Sequence, residues 1–188
     1  MTDSPAEQAN QRMVDRLIAA AALWSRPLID AFRATPRHRF LDRVYHFSRS
    51  RGRWVELNVR RPGPAGLRLV YADRALSTRL SDAPPGQTPT AISSSSQPSL
   101  MSVILEDLRL ARGLRVLEVG TGTGYNAALL AHVVGPVTSL EVDRRVLAEA
   151  AEHLDRFPDR TVTLVHGDGR QGHAARAPYD RILATAAG

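Results

Sequence analysis

The chain of 188 residues contains neither cysteine nor lysine. The absence of cysteine excludes disulfide bonds and a thiol nucleophile. The six histidines show no paired metal-binding spacing, so we predict no metal site. No apolar run approaches the roughly 20 residues of a membrane-spanning helix, and the polar first residues do not resemble a secretory signal. We therefore expect a cytoplasmic protein without a membrane association.

The formal net charge of +6 is carried by arginine alone. Arginines cluster at residues 37–61 and 109–115, which is compatible with a nucleic-acid surface. The alternative is that arginine replaces lysine on solvated faces, as GC-rich coding favours, and we prefer this interpretation. Nucleic acid is therefore not an expected partner.

The second half of the chain alternates apolar strands with helical segments. Strands are predicted at residues 114–119, 137–141, 161–166 and 181–185. This alternation predicts an α/β fold with a parallel sheet and right-handed crossovers. Upstream, the patterns predict helices at residues 6–23, 25–35 and 100–110, a hairpin of residues 53–59 and 67–71, and a long connection at residues 72–99.

The most informative segment is the loop after the first of these strands, where Gly120, Gly122 and Gly124 alternate. Glycines here allow a sharp turn and the close approach of a ligand to bare backbone. The spacing differs from the G-x-G-x-x-G dinucleotide fingerprint. Glu118 just before the loop would repel a phosphate but suits a ligand with an amino group and a cationic centre. S-adenosylmethionine has both, and Glu141, at the end of the next strand, can accept hydrogen bonds from ribose hydroxyls.

Several further motifs, in the same order, resemble those of the protein-L-isoaspartate (D-aspartate) O-methyltransferase family. They are Thr35–Phe40 (TPRHRF), Gly86–Thr88 followed by Ser96–Pro98, Leu117–Tyr125, Gly167–Gly169 and Pro178–Ile182. The resemblance implies a Rossmann-like class I S-adenosylmethionine-dependent methyltransferase fold. It divides the chain into residues 1–98, with N-terminal helices, a hairpin and a substrate loop, and residues 99–188, a cofactor domain that lacks its final strands.

The resemblance also implies roles for individual residues. Ser96 matches the active-site serine, with Ser95 beside it in the catalytic pocket. The cofactor-binding set is Glu118, Gly120, Thr121, Gly122, Thr123, Gly124, Glu141, Val142, Asp168, Gly169 and Gln97. Structural alternatives remain open: the serine run as a solvated linker, the glycine loop as a packing turn, Glu118 as a helix cap, Glu141 as a surface acid and Asp168 as a turn former.

The function implied by the resemblance is methylation of the side-chain carboxylate of isoaspartyl or D-aspartyl residues in a peptide or protein. Two departures leave an alternative open: residues 51–71 are not typical of the short repair enzymes, and the serine-rich loop looks more like that of the actinobacterial branch. That branch modifies a normal aspartate of a ribosomal precursor peptide to give an aspartimide or isoaspartate. A third possibility is a truncated, non-catalytic cofactor-binding or interaction module. We also expect an open apolar edge at residues 181–185, which the rest of a longer protein, a partner chain or a second copy would cover.

Overall fold

The computed structural model describes residues 4–186 and contains two four-stranded sheets connected and covered by helices. Residues 1–3 and 187–188, which include part of the polar start of the chain, lie outside the described residues. The helices are α1 Pro5–Ala19, α2 Arg26–Ala34, α3 Pro64–Val70, α4 Pro98–Asp107, α5 Tyr125–Val134 and α6 Arg144–Leu154. The strands are β1 Arg43–Ser48, β2 Arg53–Asn58, β3 Leu76–Leu80, β4 Ala91–Ser95, β5 Val116–Val119, β6 Val137–Glu141, β7 Val162–His166 and β8 Arg181–Ala184.

The second sheet confirms the predicted parallel arrangement. Its order is β7-β6-β5-β8, and every adjacent pair is parallel. The strand β5 is central, so the loop that follows it opens at the carboxyl edge of the sheet, where α/β folds bind ligands. Among residues 4–186, β8 is a border strand of this sheet, and Ile182 on it is 62% exposed.

The first sheet differs from the predicted hairpin. The strand at residues 53–59 is correct, but its partner is the preceding segment β1, with Val44 opposite Leu57. Residues 67–71, predicted as the returning strand, lie instead in and just after α3. Pro64 occupies the first turn of this helix, where proline is tolerated, and Leu67 and Val70 bury one helical face.

The prediction of an unstructured connection at residues 72–99 is wrong. It contains β3 and β4, which extend the antiparallel sheet to the order β2-β1-β3-β4. The turn between these strands is closed by the Ser81 backbone N–H, which donates to Thr90 O, and by the Thr90 N–H, which donates to Ser81 Oγ. The serine-rich segment is therefore a border strand.

A continuous apolar core joins the N-terminal helices to the parallel sheet, with Met13, Phe32, Leu105 and Val116 among its members. None of the helices among residues 4–186 is long and apolar enough to cross a membrane. The division at residues 98 and 99 stays a prediction.

Candidate active site

A cavity of about 650 Å³ lies between the carboxyl edge of the parallel sheet and strand β4. One wall comes from the glycine loop and the ends of β6 and β8, and the facing wall comes from the serine-rich segment. Its lining includes Ser93, Ser94, Ser95, Ser96, Pro98, Gly120, Thr121, Gly122, Thr123, Tyr125, Asn126, Glu141, Val142, Asp143, Thr185 and Ala186. The cavity thus brings together members of both groups of residues that the sequence assigned to cofactor and acceptor.

The glycine loop turns back against β6 as it leaves β5. The backbone N–H groups of Gly120 and Thr121 both donate to Leu140 O, at 2.8 and 3.1 Å. Gly120 has φ +95°, and a Cβ there would lie 2.8 Å from Ala186 Cβ, so conformation and space both require glycine. Gly124, at φ +80°, begins α5 and packs near Leu154. It is not among the residues that line the cavity.

Glu141 holds the loop and the start of α6 together. Its Oε2 accepts from the Gly122 N–H at 3.0 Å, and its Oε1 accepts from the N–H groups of Val142 and Asp143 at 3.0 and 3.1 Å. Each carboxylate oxygen has two lone pairs, so Glu141 keeps acceptor capacity toward the cavity. Val142, 68% exposed, and Asp143, the N-cap of α6, lie beside it.

Glu118 is in a different environment, because its side chain is fully buried and does not line the cavity. Its carboxylate accepts from Asn126 Nδ2 at 2.7 Å and from Ser139 Oγ at 2.5 Å. Burial raises the pKa of Glu118 to about 7, against the opposing effect of these two hydrogen bonds. Asn126 itself lines the cavity. The Asn126 amide therefore connects the buried Glu118 carboxylate to the cavity wall.

Asp168 and Gly169 lie outside the cavity lining. The Asp168 side chain begins a 3-10 turn by accepting from the Arg170 N–H, and it also pairs with the Arg170 guanidinium at 2.7 Å. Hydrogen bonds from Arg170 lower the pKa of Asp168. Gly169 packs against strand β5, where a Cβ would overlap Val119.

The serine segment presents its residues differently along its length. Ser95 is buried, and its Oγ accepts from Arg37 Nε at 3.2 Å. Ser96 lines the cavity, and within residues 4–186 its hydroxyl has no hydrogen-bond partner. Gln97 does not line the cavity, because its Nε2 donates to Asp73 Oδ2 and Ser99 Oγ.

Sequence reasoning missed several residues of the site, including Tyr125, Asn126 and Thr185. The signal for Asn126 was available, since it is an isolated amide at the start of an otherwise apolar helix. Thr185 closes the glycine loop, with its Oγ1 donating to Gly120 O at 2.8 Å. No local pattern indicated this contact, because the two residues follow different strands, β8 and β5.

Charged side chains connect the antiparallel sheet to α6 beside the cavity. Glu149 accepts from Arg43 at 2.7 Å and from Arg79 at 3.2 Å. Arg79 also lies 3.9 Å from Asp143, the N-cap of α6. This network holds β3, and β4 next to it, over the glycine loop.

Comparison with known proteins places these features in a family. The family model described as protein-L-isoaspartate(D-aspartate) O-methyltransferase matches residues 68–188. The chain is 33% identical over 187 residues to the curated protein-L-isoaspartate O-methyltransferase of Methanoculleus marisnigri, a match that covers 100% of this chain and 70% of that protein.

Solved structures agree with the fold. One protein-L-isoaspartate O-methyltransferase superposes with a TM-score of 0.68 at 31% identity, covering 94% of this chain and 47% of its own. A putative protein-L-isoaspartate O-methyltransferase of Plasmodium falciparum, solved in complex with S-adenosyl-L-homocysteine, superposes with a TM-score of 0.64 at 14% identity, covering 98% of this chain and 74% of its own. The chain therefore spans less than half of the first solved protein and most of the second.

Proposed function

This chain belongs to the protein-L-isoaspartate(D-aspartate) O-methyltransferase family of S-adenosylmethionine-dependent enzymes, and on that premise we propose its reaction. It transfers a methyl group from S-adenosylmethionine to the side-chain carboxylate of isoaspartyl or D-aspartyl residues in proteins or peptides. It acts in the cytoplasm.

The observation that carries the proposal is the charge of the cavity. The protein has a net charge of +6, yet the cavity lining contains the acids Glu141 and Asp143 and, among residues 4–186, no basic side chain. A phosphate-bearing nucleotide would be repelled here, whereas a sulfonium with an ammonium group is attracted. Gly120 and Gly122 both line the cavity, and at Gly122 a Cβ would meet only Ser94 O, at 3.6 Å, so the backbone there is accessible to such a ligand.

The residues fit the cofactor in chemical terms. The spare acceptor capacity of Glu141 suits ribose hydroxyls, and Gly120 to Thr123 supply the backbone surface beside it. Glu118 supports the same wall through Asn126 rather than by direct exposure. When bound, S-adenosylmethionine supplies an activated methyl group on a cationic sulfur.

The acceptor needs orientation rather than a base. An aspartyl-type carboxylate is ionised near neutral pH, so no general base is required. Ser96, with its unpaired hydroxyl on the wall that faces the glycine loop, is the residue we assign to hold that carboxylate, with Ser95 fixing the segment behind it. Holding two reactants in line contributes about 7–11 kcal/mol in ideal cases.

A peptide acceptor suits the position of β4. This strand forms one border of the antiparallel sheet and also lines the cavity. A border strand offers backbone groups on one side that an extended peptide can pair with. Only the acceptor side chain of that peptide must enter the cavity.

The test uses three peptides of one sequence that carry isoaspartate, aspartate or asparagine at a single position. With methyl-labelled S-adenosylmethionine, we expect a base-labile methyl ester on the isoaspartyl peptide and none on the asparaginyl control. Methylation of the aspartyl peptide instead, followed by loss of methanol as the ester closes to an aspartimide, would assign the peptide-tailoring reaction. Cofactor binding without methylation of any peptide would contradict catalysis and favour a binding module.

A further inference from the structure

Arg37 is a fully buried arginine, with none of its surface exposed. It begins the 3-10 turn after Pro36 and reaches between two segments of the fold. Its guanidinium donates to the carbonyl oxygens of Val70, Ala72 and Arg74 on one side and to Ser95 O, Ser96 O and Ser95 Oγ on the other, at 2.8–3.3 Å. Every partner is neutral.

This cation has no directly paired acid. Among residues 4–186, no carboxylate lies within salt-bridge distance of Arg37, and the nearby Asp73 instead accepts from Ser99 N–H and Gln97. Burial lowers the pKa of Arg37 to about 10, so the group is still charged at neutral pH. Burying a charge without a carboxylate partner is costly, and the six neutral acceptors around the guanidinium offset part of that cost.

The charge lies directly behind the acceptor wall of the cavity. Arg37 Nη2 donates to Ser95 O at 3.0 Å and to Ser96 O at 2.8 Å. These carbonyls belong to the two peptide groups whose N–H groups are on Ser96 and Gln97. Neither N–H has a hydrogen-bond acceptor within residues 4–186. A donor on the carbonyl polarises a peptide group, which strengthens its N–H as a donor.

We propose that Arg37 is a specificity-determining positioning residue that makes the Ser95–Gln97 segment selective for an anionic carboxylate over a neutral carboxamide. It acts through these two peptide groups and does not touch the substrate. The cavity then has segregated charges, with the acids Glu141 and Asp143 toward the cofactor and the positive field of Arg37 toward the acceptor. This inference rests on the proposed function.

A kinetic consequence follows from the charge change in the reaction. Methyl transfer neutralises the carboxylate, so a positive field stabilises the bound substrate more than the ester product. Arg37 therefore contributes to substrate affinity and favours release of the ester. Its removal should raise KM more than it lowers kcat, whereas a loop that had merely lost its shape would lower kcat as well.

The test compares Arg37→Gln and Arg37→Lys with Arg16→Gln. Arg16 is the matched control, because it also donates to a backbone carbonyl of the same segment, Tyr71 O at 2.8 Å, but is exposed. Calorimetry with S-adenosylhomocysteine present measures the affinity of each protein for an isoaspartyl peptide and for the same peptide with a side-chain carboxamide. The ratio of the two affinities is the readout, since a distorted loop weakens both equally.

We expect the wild type and Arg16→Gln to prefer the carboxylate by about tenfold or more, which corresponds to about 1.4 kcal/mol. The ratio should fall toward one in Arg37→Gln and be partly kept in Arg37→Lys. An unchanged ratio in Arg37→Gln would overturn the proposal, as would a wild type that binds both peptides equally, even if the variants fail to fold. Methyl transfer with an unchanged ratio contradicts only the role of Arg37, whereas a wild type that methylates no peptide contradicts the proposed function.

Discussion

Glu118 and Glu141 carry the same functional group on neighbouring parallel strands, but their environments differ. Glu141 lies at the end of β6, where three backbone N–H groups stabilise its charge. Glu118 lies within β5, opposite Ser139 of β6, and its side chain is fully buried. A cationic ligand that binds beside Asn126 would therefore favour the ionised form of Glu118.

The raised pKa of Glu118 predicts a pH-dependent stability. A carboxyl group whose pKa is about 4.3 in the unfolded chain and about 7 in the folded protein stabilises the fold below the first value. This contribution is lost as the pH rises through the second. Relative to Glu118→Gln, the wild type should lose at most about 3 kcal/mol of unfolding free energy between pH ~4 and pH ~8.

Urea unfolding at a series of pH values measures this difference. Glu152→Gln, at an exposed position of α6, is the control and should follow the wild type. A difference between wild type and Glu118→Gln that stays constant with pH would show that Glu118 does not titrate in this range.

Ser96→Ala tests the acceptor wall. Its hydroxyl faces the cavity and has no partner among the described residues 4–186, so its loss should leave folding and S-adenosylhomocysteine affinity nearly unchanged. Methyl transfer should fall by about tenfold or more, the effect of one lost orienting hydrogen bond. Ser50→Ala, in the turn between β1 and β2, is the control. Equal losses of methyl transfer and of cofactor affinity would make Ser96 structural.

At the scale of elements, the sequence was informative where structure is local. The strands β5 to β8 are short segments rich in apolar residues that are separated by helices or 3-10 turns, and their bounds were predicted to within two residues. The antiparallel sheet was not, because β1 is mostly solvent-exposed and its pairing with β3 joins distant segments. The segment of Leu67 and Val70 carried an apolar spacing that fits either a short strand or a helix, and Pro64 decided for the helix.

In the candidate site, too, the residues in local motifs were predicted better than the tertiary contacts of each side chain. The glycine loop, Glu141 and Ser96 line one cavity, as motif order indicated. Glu118, Gly124, Gln97, Asp168 and Gly169 were assigned to the cofactor but do not line it. Their contact with the cofactor stays a prediction. Burial and the partner of each side chain depend on the tertiary fold, which spacing along the chain does not specify.

Gly169 packs against Val119 at the end of β5, and a substitution can test this contact. A Cβ at this position would overlap Val119, so Gly169→Ala should destabilise the protein by about 1–3 kcal/mol. Gly167→Ala is the matched control, two residues away, because a Cβ there meets nothing within 4 Å. Thermal unfolding compares the two. Equal stability of both variants would contradict the tight contact between the 3-10 turn and β5.

At the scale of the whole molecule, the open edge at β8 predicts self-association. Within residues 4–186 this strand pairs with β5 alone, and Ile182 is 62% exposed there. Unpaired backbone and an apolar side chain favour pairing with a second copy. We expect light scattering to show a mass that rises with concentration, and Ile182→Lys should reduce this rise. Trp24→Lys, which removes a 57% exposed apolar side chain outside any strand, should not. A monomer at all concentrations would contradict the prediction.

The two sheets meet across one cavity, with the residues proposed to hold the cofactor on one side and those proposed to orient the acceptor on the other. The most direct test of this account is calorimetric titration of the purified protein with S-adenosylhomocysteine. We predict saturable binding of one molecule per chain, weakened by about 1–3 kcal/mol in Glu141→Ala through loss of charge-assisted hydrogen bonds. A cooperatively folded protein that binds none, or whose affinity is unchanged in Glu141→Ala, would contradict the assignment of this cavity to the cofactor.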